Sequence, residues 1–329
     1  MKPSQVKQSL KHLISVRRPA FLWGPPGVGK SDVVAQTAAE LKLELRDWRL
    51  SLLDPTDIKG FPVPSKDGKT MSFLPPSFLP TKGKGILFFD EFNSAPQSVQ
   101  AATYQLILNR KIGDYVLPPG WDILAAGNRS SDRSVVHAMP AALANRFVHV
   151  DYDVDTEDWI DWAIKNGVSD ATRGYIRYRE GNLTTTKIDP GMRAFPTPRS
   201  WVFADQIINS HLPPEVEIEL LKGTVGEGVA TEYMGFIREA KNLPNIDMIL
   251  IDPDKVKVPE SPSTCYALVS ALESRVAPNN FGRLMKYVKR MSKEFEVVFC
   301  TSAVKRDDAI SETKEFTEWI RENRSVLIS

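Results

Sequence analysis

Cysteine and histidine are scarce in this chain, which has two cysteines and four histidines among its 329 residues. Cys265 and Cys300 lie far apart, fall in no metal-ligand spacing and form no cluster with the histidines. This pattern argues against a zinc module and against a disulfide framework. It favours a reduced cytosolic protein without a metal held by cysteine or histidine.

Long apolar runs and an excess of one charge are also missing. The chain has 42 basic and 41 acidic residues, a formal net charge of +1, so its total charge does not favour nucleic acid or anionic membranes as partners. No apolar run has the length that spans a bilayer, and residues 1–12 are polar and basic, unlike a secretory signal. We therefore expect a soluble, cytoplasmic protein with no membrane partner.

The composition that remains is ordinary for a globular protein. Hydrophobic residues make up 42% of the chain and charged residues 25%, which is enough apolar material for a large core. The length predicts about two domains. The function must therefore be sought in particular motifs.

A phosphate-loop pattern lies near the start of the chain. Gly24–Ser31 matches G-x-x-x-x-G-K-[ST] and lies between an apolar run, Phe21–Trp23, and a predicted helix from Ser31 to Leu41. Glycines let backbone N–H groups approach a polyphosphate, and the helix directs its positive end to the same anion. Lys30 is predicted to reach the β- and γ-phosphates, and Ser31 to ligate Mg²⁺. The predicted ATP-binding residues of the loop are Gly24, Pro25, Pro26, Gly27, Val28, Gly29, Lys30 and Ser31.

Two acids and an amide follow later buried strands. The apolar run from Gly85 ends in Asp90 and Glu91, and Trp121–Gly127 is followed by Asn128. The carboxyl ends of parallel strands face the ligand crevice. Asp90 is thus predicted to hold Mg²⁺ with Ser31, Glu91 to polarise the attacking water, and Asn128 to orient that water.

The order of elements predicts an α/β fold with a parallel sheet, because a strand, loop, helix and second strand succeed one another from Ala20 to Leu50. Residues 54–81 interrupt this order with prolines and a turn signal at 66–69. Proline cannot sit in a central strand, so we predict an inserted hairpin that projects from the core. Residues 1–151 form the predicted nucleotide-binding core.

The second half of the chain, residues 152–329, is predicted to be a helical lid with a helical extension. Helices are predicted over 156–166, 169–179, 199–209, 214–222, 264–274, 280–291 and 313–322. Residues 181–198 are predicted to be a loop, and residues 242–263, with four prolines, a linker. Trp159, Trp162 and Trp201 and the apolar stripe from Phe281 to Val288 are expected in the core.

The motifs occur in the order of an AAA+ ATPase, and the chain resembles the MoxR branch of that family over roughly residues 17–210. Gly24–Ser31 corresponds to Walker A, Ile86–Glu91 to Walker B and 126–128 to sensor 1. The run Asp90–Pro96 is similar to the branch's acidic motif, although Ser94 stands where the branch has arginine. Leu143–Phe147 resembles the arginine-finger segment and 197–200 the sensor 2 entry to the lid. The insert also lies where the branch carries one.

The resemblance implies a P-loop AAA+ core with an α-helical lid. It implies that Arg146 acts in trans on a neighbouring subunit's γ-phosphate and that Arg199 senses the γ-phosphate from the lid. The catalytic residues are therefore predicted to be Glu91, Asn128, Arg146 and Arg199. Arg129 and Arg133 stay open as alternatives for the trans arginine. A structural role for Arg146 also stays open, in which it pairs with Asp151 or with the last carbonyls of its helix.

The predicted function is Mg²⁺-dependent ATP hydrolysis in a homo-oligomeric, hexameric ring. The resemblance implies chaperone-like remodelling or assembly of a protein client, often with a von Willebrand factor A domain protein. A motor acting on nucleic acid is a first alternative, with Lys66, Lys69, Lys82 and Lys84 as candidate contacts. A nucleotide-dependent switch that hydrolyses ATP negligibly is a second, which the joint presence of the candidate catalytic residues disfavours.

Overall fold

Five parallel strands form the central sheet of the first part of the chain. The computed structural model describes residues 1–66, 68–129, 132, 137–185 and 191–323, which fall into two compact units, Met1–Asp155 and Thr156–Ser329. The sheet has the order β2-β5-β8-β1-β9. Its strands are β1 Ala20–Trp23, β2 Glu44–Arg49, β5 Gly85–Asp90, β8 Trp121–Gly127 and β9 Val148–Asp151. Every pairing among them is parallel, as predicted.

The two central strands β5 and β8 are buried along their whole length. Because side chains alternate across a strand, each strand supplies both faces of the sheet. Ile86 and Phe88 pack in one apolar cluster with the first helices, whereas Leu87 and Phe89 pack in the other. The continuous apolar run that predicted β5 is therefore what a two-sided sheet requires.

Helices cover the sheet of the first unit. They are α1 Pro3–Ser15, α2 Lys30–Glu40, α3 Pro55–Lys59, α4 Gln97–Asn109 and α5 Ala141–Ala144. Val6, Leu10 and Ile14 recur at helical spacing along α1 and are its buried residues. The helix predicted from Ser31 is confirmed, because α2 begins one residue before the predicted start.

The predicted insert is a hairpin outside the main sheet. Strands β3 Phe61–Pro64 and β4 Met71–Leu74 pair only with each other, and the short helix α3 precedes them. A second small hairpin is formed by β6 Lys111–Ile112 with β7 Tyr115–Val116. Phe61 is 72% exposed and Met71 68% exposed, so the larger hairpin presents apolar side chains to solvent.

Helices are the only regular secondary structure among the described residues of the second unit. Its helices are α6 Thr156–Lys165, α7 Asp170–Tyr178, α8 Pro198–Ile208, α9 Pro214–Val225, α10 Glu227–Ala240, α11 Ile246–Ile251, α12 Pro262–Arg275, α13 Phe281–Val288, α14 Lys293–Arg306 and α15 Lys314–Glu322. Trp159 and Trp201 are buried and Trp162 half-buried, and the stripe of α13 lies in the core, as predicted. The segment 186–190 of the predicted loop 181–198 lies outside the described residues.

The predicted linker at 242–263 is wrong. Helix α11 lies within this segment, and Ile249 is fully buried in the apolar cluster of α12, α13 and α14. Leu243, Leu250 and Val258 pack against the same cluster. Prolines interrupt helices, but they do not prevent the apolar residues between them from packing. The segment is therefore part of the second unit's core.

The described helices carry no candidate for a membrane span, because none is both long and apolar enough to cross a bilayer.

The second unit contains a buried charge pair. Arg177 of α7 donates to both carboxylate oxygens of Glu273 on α12, at 2.7 and 2.9 Å, and to Ser302 of α14 at 2.7 Å. Both charged side chains are nearly inaccessible, at 3% and 2%. The pair thus joins three helices in the interior.

We expect Glu273→Ala to destabilise the second unit by about 3–5 kcal/mol, because it leaves the Arg177 guanidinium buried without its partner. Urea unfolding followed by tryptophan fluorescence measures this cost. The matched control is Glu219→Ala, which removes the exposed pair of Glu219 with Lys222 and is expected to cost less than about 1 kcal/mol. Equal costs for the two variants would contradict the role assigned to the buried pair.

Candidate functional site

The phosphate loop connects β1 to α2 at the carboxyl end of the sheet. Gly29 caps α2 with φ +101°, and Gly27 also has a positive φ of +77°. Side chains with a Cβ rarely adopt these angles, which explains why the loop needs glycine at both positions. The loop's backbone N–H groups and the start of α2 can together form a cradle for an anion.

Lys30 lies inside this loop. Its side-chain Nζ donates to the carbonyl oxygens of Gly24 and Pro25, at 2.6 and 2.8 Å, and to Oδ1 of Asn128 at 3.0 Å. The residue is 8% exposed, so the ammonium group is held at the loop by three oxygens. The bond to Asn128 connects the carboxyl ends of β1 and β8 through one cation.

Ser31 and Asp90 connect the loop to β5. The Ser31 hydroxyl donates to Oδ2 of Asp90 at 2.6 Å, and the other carboxylate oxygen of Asp90 accepts from the backbone N–H of Glu91 at 2.8 Å. A hydroxyl and a carboxylate side by side are hard oxygen ligands of the type that Mg²⁺ prefers. Sequence reasoning assigned these two residues to one magnesium site, and the structure brings their side chains together.

Glu91 has an unusual backbone. Its φ is +54°, in the left-handed region that residues other than glycine and asparagine seldom occupy. This conformation turns the chain sharply after β5, directly into the 3-10 turn Phe92–Ser94. The Glu91 carboxylate accepts a hydrogen bond from the Ser51 hydroxyl. Ser51 was not predicted as a site residue, and a lone serine between two leucines gives no sequence signal.

Two further residues support the site. Tyr152 is 4% exposed and donates its backbone N–H to the carbonyl of Trp23 at 2.7 Å. Its backbone lies against Gly24, where a Cβ would come within 3.1 Å of the Tyr152 carbonyl oxygen. Asn93 forms two hydrogen bonds to the backbone of Asn128. The sequence motif contained Asn93, but no role was assigned to it.

The site therefore gathers polar groups from three neighbouring strands. The loop follows β1, Asp90 ends β5 and Asn128 follows β8, and these strands are adjacent in the sheet. Among the described residues no group of three or more His, Cys, Asp or Glu side chains could enclose a metal ion. Mg²⁺ commonly binds through one or two protein oxygens together with substrate phosphates, and the pair Ser31 and Asp90 fits that arrangement.

Residues 19–147 match a family model, the AAA domain of the dynein-related subfamily. This segment of the chain has the AAA+ P-loop ATPase fold. The parallel sheet with its flanking helices, the phosphate loop and the acids after β5 are the P-loop ATPase fold of this family. Its members are ATPases, and the motifs read from the sequence as Walker A, Walker B and sensor 1 lie at the carboxyl end of the sheet.

A curated protein that the chain is similar to is Midasin from Giardia intestinalis, which is 28% identical over 191 residues. The match covers 55% of this chain and 4% of that protein, so the chain spans a small fraction of this relative. A RuvB point mutant from Thermotoga maritima is 17% identical with a TM-score of 0.45, over 77% of each chain. NtrX from Brucella abortus, solved with ADP, is 16% identical with a TM-score of 0.37, over 98% of this chain and 67% of that one. At these TM-scores neither structure carries an argument about function.

The candidate arginines for the γ-phosphate differ in whether their side chains form ion pairs. Arg146 follows α5 and is exposed, and its side chain forms no ion pair with any described residue. The alternative pairing of Arg146 with Asp151 is not formed. Asp151 pairs with Arg129 at 3.1 Å, and Arg129 also binds Asp153 at 3.1 Å. Arg133 lies outside the described residues.

Arg129 thus pairs with two acids of its own unit. Burial alone would lower the pKa of its guanidinium, but the hydrogen bond to Asp153 and the charge of Asp151 raise that pKa. Arg199 lies in the second unit, in the first turn of α8 after the capping residue Thr197. Its side chain is exposed, and its predicted place at the phosphates stays a prediction.

The conformation of Gly29 generates a stability test. Gly29→Ala is expected to cost about 1–3 kcal/mol, because alanine is strained at φ +101°, and to weaken binding of a fluorescent ATP analogue. Thermal unfolding and a fluorescence titration measure the two effects.

The matched control is Gly235→Ala, in the exposed middle of α10, where an added Cβ meets no atom within 4 Å. Alanine is the better helix former by about 1 kcal/mol, so this variant should be slightly more stable and bind the analogue normally. A Gly29→Ala variant that behaves like Gly235→Ala would contradict the assigned backbone constraint.

Proposed function

We propose that this chain hydrolyses ATP with Mg²⁺ in a cytoplasmic ring of subunits and uses the reaction to remodel or assemble a protein client. The single observation that carries the proposal is the hydrogen bond from Ser31 to Asp90 at 2.6 Å. It brings the last residue of the phosphate loop against the last residue of β5. The loop that would bind the phosphates and the acid that would bind Mg²⁺ are thereby side by side.

The residues divide the chemistry among them. The loop's N–H groups and Lys30 would bind the phosphates, and Ser31 and Asp90 would hold Mg²⁺, which when bound neutralises charge on the β- and γ-phosphates. Glu91 is the acceptor for the proton of the attacking water, whose oxygen bonds to the γ-phosphorus as the bond to the β-γ bridging oxygen breaks. ADP and inorganic phosphate are the products. Asn128, held by Lys30 at 3.0 Å, is placed to orient that water.

Arg146 is the residue that we propose acts on a neighbouring subunit. Its exposure and its lack of an ion pair within the described chain support this role, whereas Arg129 is engaged by Asp151 and Asp153. A guanidinium supplied from a second subunit makes hydrolysis depend on assembly. We propose a hexameric ring of the MoxR type. In this ring a lid senses the γ-phosphate through Arg199.

The insert hairpin is the surface that we propose contacts the client. Phe61, Met71 and Leu74 are more than half exposed, and isolated soluble chains seldom expose large apolar side chains so close together. An apolar hairpin surface suits a protein client, including a von Willebrand factor A domain protein. The hairpin lies outside the main sheet, so it can contact a client without disturbing the nucleotide site.

One prediction separates binding from chemistry. Lys30→Ala should abolish binding of ATP, because it removes the cation at the phosphates, whereas Glu91→Gln should keep binding and lower kcat about 100-fold or more by removing the proton acceptor. Isothermal titration and a phosphate-release assay measure the two steps. Glu40→Gln, a change in exposed Glu40 at the end of α2, is the control and should alter neither. Normal turnover by Glu91→Gln would contradict the role of Glu91.

A mixing experiment tests the trans arginine. Arg146→Ala and Glu91→Gln subunits should each be inactive alone, but mixed rings should regain activity, because a Glu91→Gln subunit supplies Arg146 to an intact site on its neighbour. An Arg129→Ala subunit should be active without mixing, since Arg129 pairs within its own domain. The result that would overturn Arg146 as the trans arginine is no recovery with Arg146→Ala and recovery with Arg129→Ala.

The alternative function is a motor acting on nucleic acid. Lys66 and Lys69 at the tip of the hairpin and Lys82 and Lys84 after it are exposed, and Phe61 could stack on bases. For a motor of this kind, the affinity for a fluorescent single-stranded oligonucleotide should fall steeply with salt, with a log–log slope of about −0.7 per phosphate contact. The charge-reversed double variant Lys66→Glu with Lys69→Glu should then bind far less.

Under our proposal the oligonucleotide binds weakly and the double variant changes little. The control replaces lysines away from the hairpin, Lys255→Glu with Lys257→Glu, which are 85% exposed in the second unit. Steep, salt-dependent binding that only the hairpin variant loses would favour the nucleic-acid motor over the protein-remodelling function.

A further inference from the structure

Asn93 connects the turn after β5 to the end of β8. The residue is 2% exposed and lies in the 3-10 turn Phe92–Ser94. Its side-chain Nδ2 donates to the backbone carbonyl of Asn128 at 2.7 Å, and its Oδ1 accepts from the backbone N–H of Asn128 at 3.1 Å. One side chain thus binds both polar backbone groups of a single site residue.

These bonds begin where the pairing of the sheet ends. The register of β8 with β5 stops at Ala125, and its register with β1 stops at Gly127. Asn128 is the next residue, so no strand neighbour continues the ladder to its N–H and C=O. Buried backbone polar groups require partners, and the amide of Asn93 supplies both in the manner of a neighbouring strand.

The Asn93 amide packs directly against the backbone of Gly127, where there is no room for a side chain. A Cβ built on Gly127 would lie 2.3 Å from Oδ1 and 2.9 Å from Cγ of Asn93, so any larger residue at position 127 would push the amide away. The backbone carbonyl of Asn93 accepts from the N–H of His137 at 2.7 Å, and the neighbouring Phe92 is fully buried. Asn93 is therefore held at its backbone by His137 and at its side-chain amide by Asn128.

We propose that Asn93 is a positioning residue for the hydrolysis of ATP, an inference that rests on the proposed function. By binding the backbone of Asn128, it keeps the Asn128 side chain beside Lys30, at 3.0 Å, at the edge of the sheet where Glu91 follows β5. Asn93 itself contacts neither the phosphates nor the water. It acts through Asn128.

The chemistry of the clamp makes asparagine specific at this position. The amide presents one donor and one acceptor, which match the C=O and N–H of Asn128. Asn93→Asp keeps the size and the acceptor, but it places a second acceptor against the Asn128 carbonyl. Asn93→Ala removes both bonds. Gln100→Ala is the matched control, because Gln100 is a buried amide of the same unit that bonds to the carbonyl of Ala95 at 3.0 Å and takes no part in the site.

The first measurement is a double-mutant cycle in steady-state ATP hydrolysis with Asn93→Asp, Asn128→Ala and the double variant. Misplacing a catalytic group by about 1 Å can cost up to about 100-fold in rate. We expect Asn93→Asp to lower kcat about 10- to 100-fold, with KM and the affinity for ATP changed less than about threefold. On the Asn128→Ala background the same change should lower kcat by no more than about twofold, and Gln100→Ala should leave kcat unchanged.

The second measurement does not require turnover. Amide hydrogen exchange at Asn128 should be about tenfold faster or more in Asn93→Ala than in the native chain, and unchanged in Gln100→Ala. If the native chain hydrolyses ATP, a kcat loss that is additive with Asn128→Ala, or that Gln100→Ala reproduces, overturns the inference. If the native chain binds ATP without turnover, the proposed hydrolysis is wrong, and amide exchange then tests the contact between Asn93 and Asn128 separately. Unchanged exchange at Asn128 in Asn93→Ala overturns the proposed positioning by Asn93.

Discussion

A parallel sheet that is buried on both faces leaves few places where polar side chains can lie. In this chain β5 and β8 are buried along their length. Apart from Asp122 near the start of β8, which pairs with Arg17, their polar side chains come where the strands end. Because the strands are parallel, those ends share one edge of the sheet. The site residues Ser31, Asp90 and Asn128 meet there as a consequence of the fold, and the loop after β1 completes the group.

The polar groups at this edge are closely connected. Ser31 donates to Asp90, Asp90 accepts from the N–H of Glu91, and Ser51 donates to the Glu91 carboxylate. Lys30 and Asn93 bind Asn128 from two sides. At Gly29 and Glu91 the backbone adopts the positive φ angles that the turns beside these contacts need. Such a network holds side chains at fixed positions before any ligand arrives, which is what electrostatic catalysis of phosphoryl transfer requires.

Local motifs made the nucleotide site predictable from the sequence. The phosphate loop and the acids after β5 are each defined by neighbouring residues, so Lys30, Ser31, Asp90 and Glu91 were assigned without tertiary information. Ser51 and the clamp by Asn93 depend on contacts across 40 and 35 positions, and no local pattern records such contacts. The ion pairs of Arg129, which argue against it as the trans arginine, likewise became visible only with the positions of Asp151 and Asp153.

The helices of the second unit were predicted less completely. Helix α10 contains Gly228 and Gly235, which lower helix propensity, and α14 contains the continuous apolar run Val297–Cys300 in place of a stripe on one face. Prolines in 242–263 suggested a linker, although the apolar residues between them pack in the core. In each case burial in the tertiary structure outweighed the local signal.

We propose that the nucleotide site of this chain, completed by a neighbouring subunit, hydrolyses ATP. The most direct test is the steady-state rate of phosphate release per chain, measured over a range of protein concentrations at saturating ATP and Mg²⁺. We predict a rate that rises with concentration to a plateau as rings assemble. A native chain that binds ATP and shows no turnover at any concentration would contradict the claim.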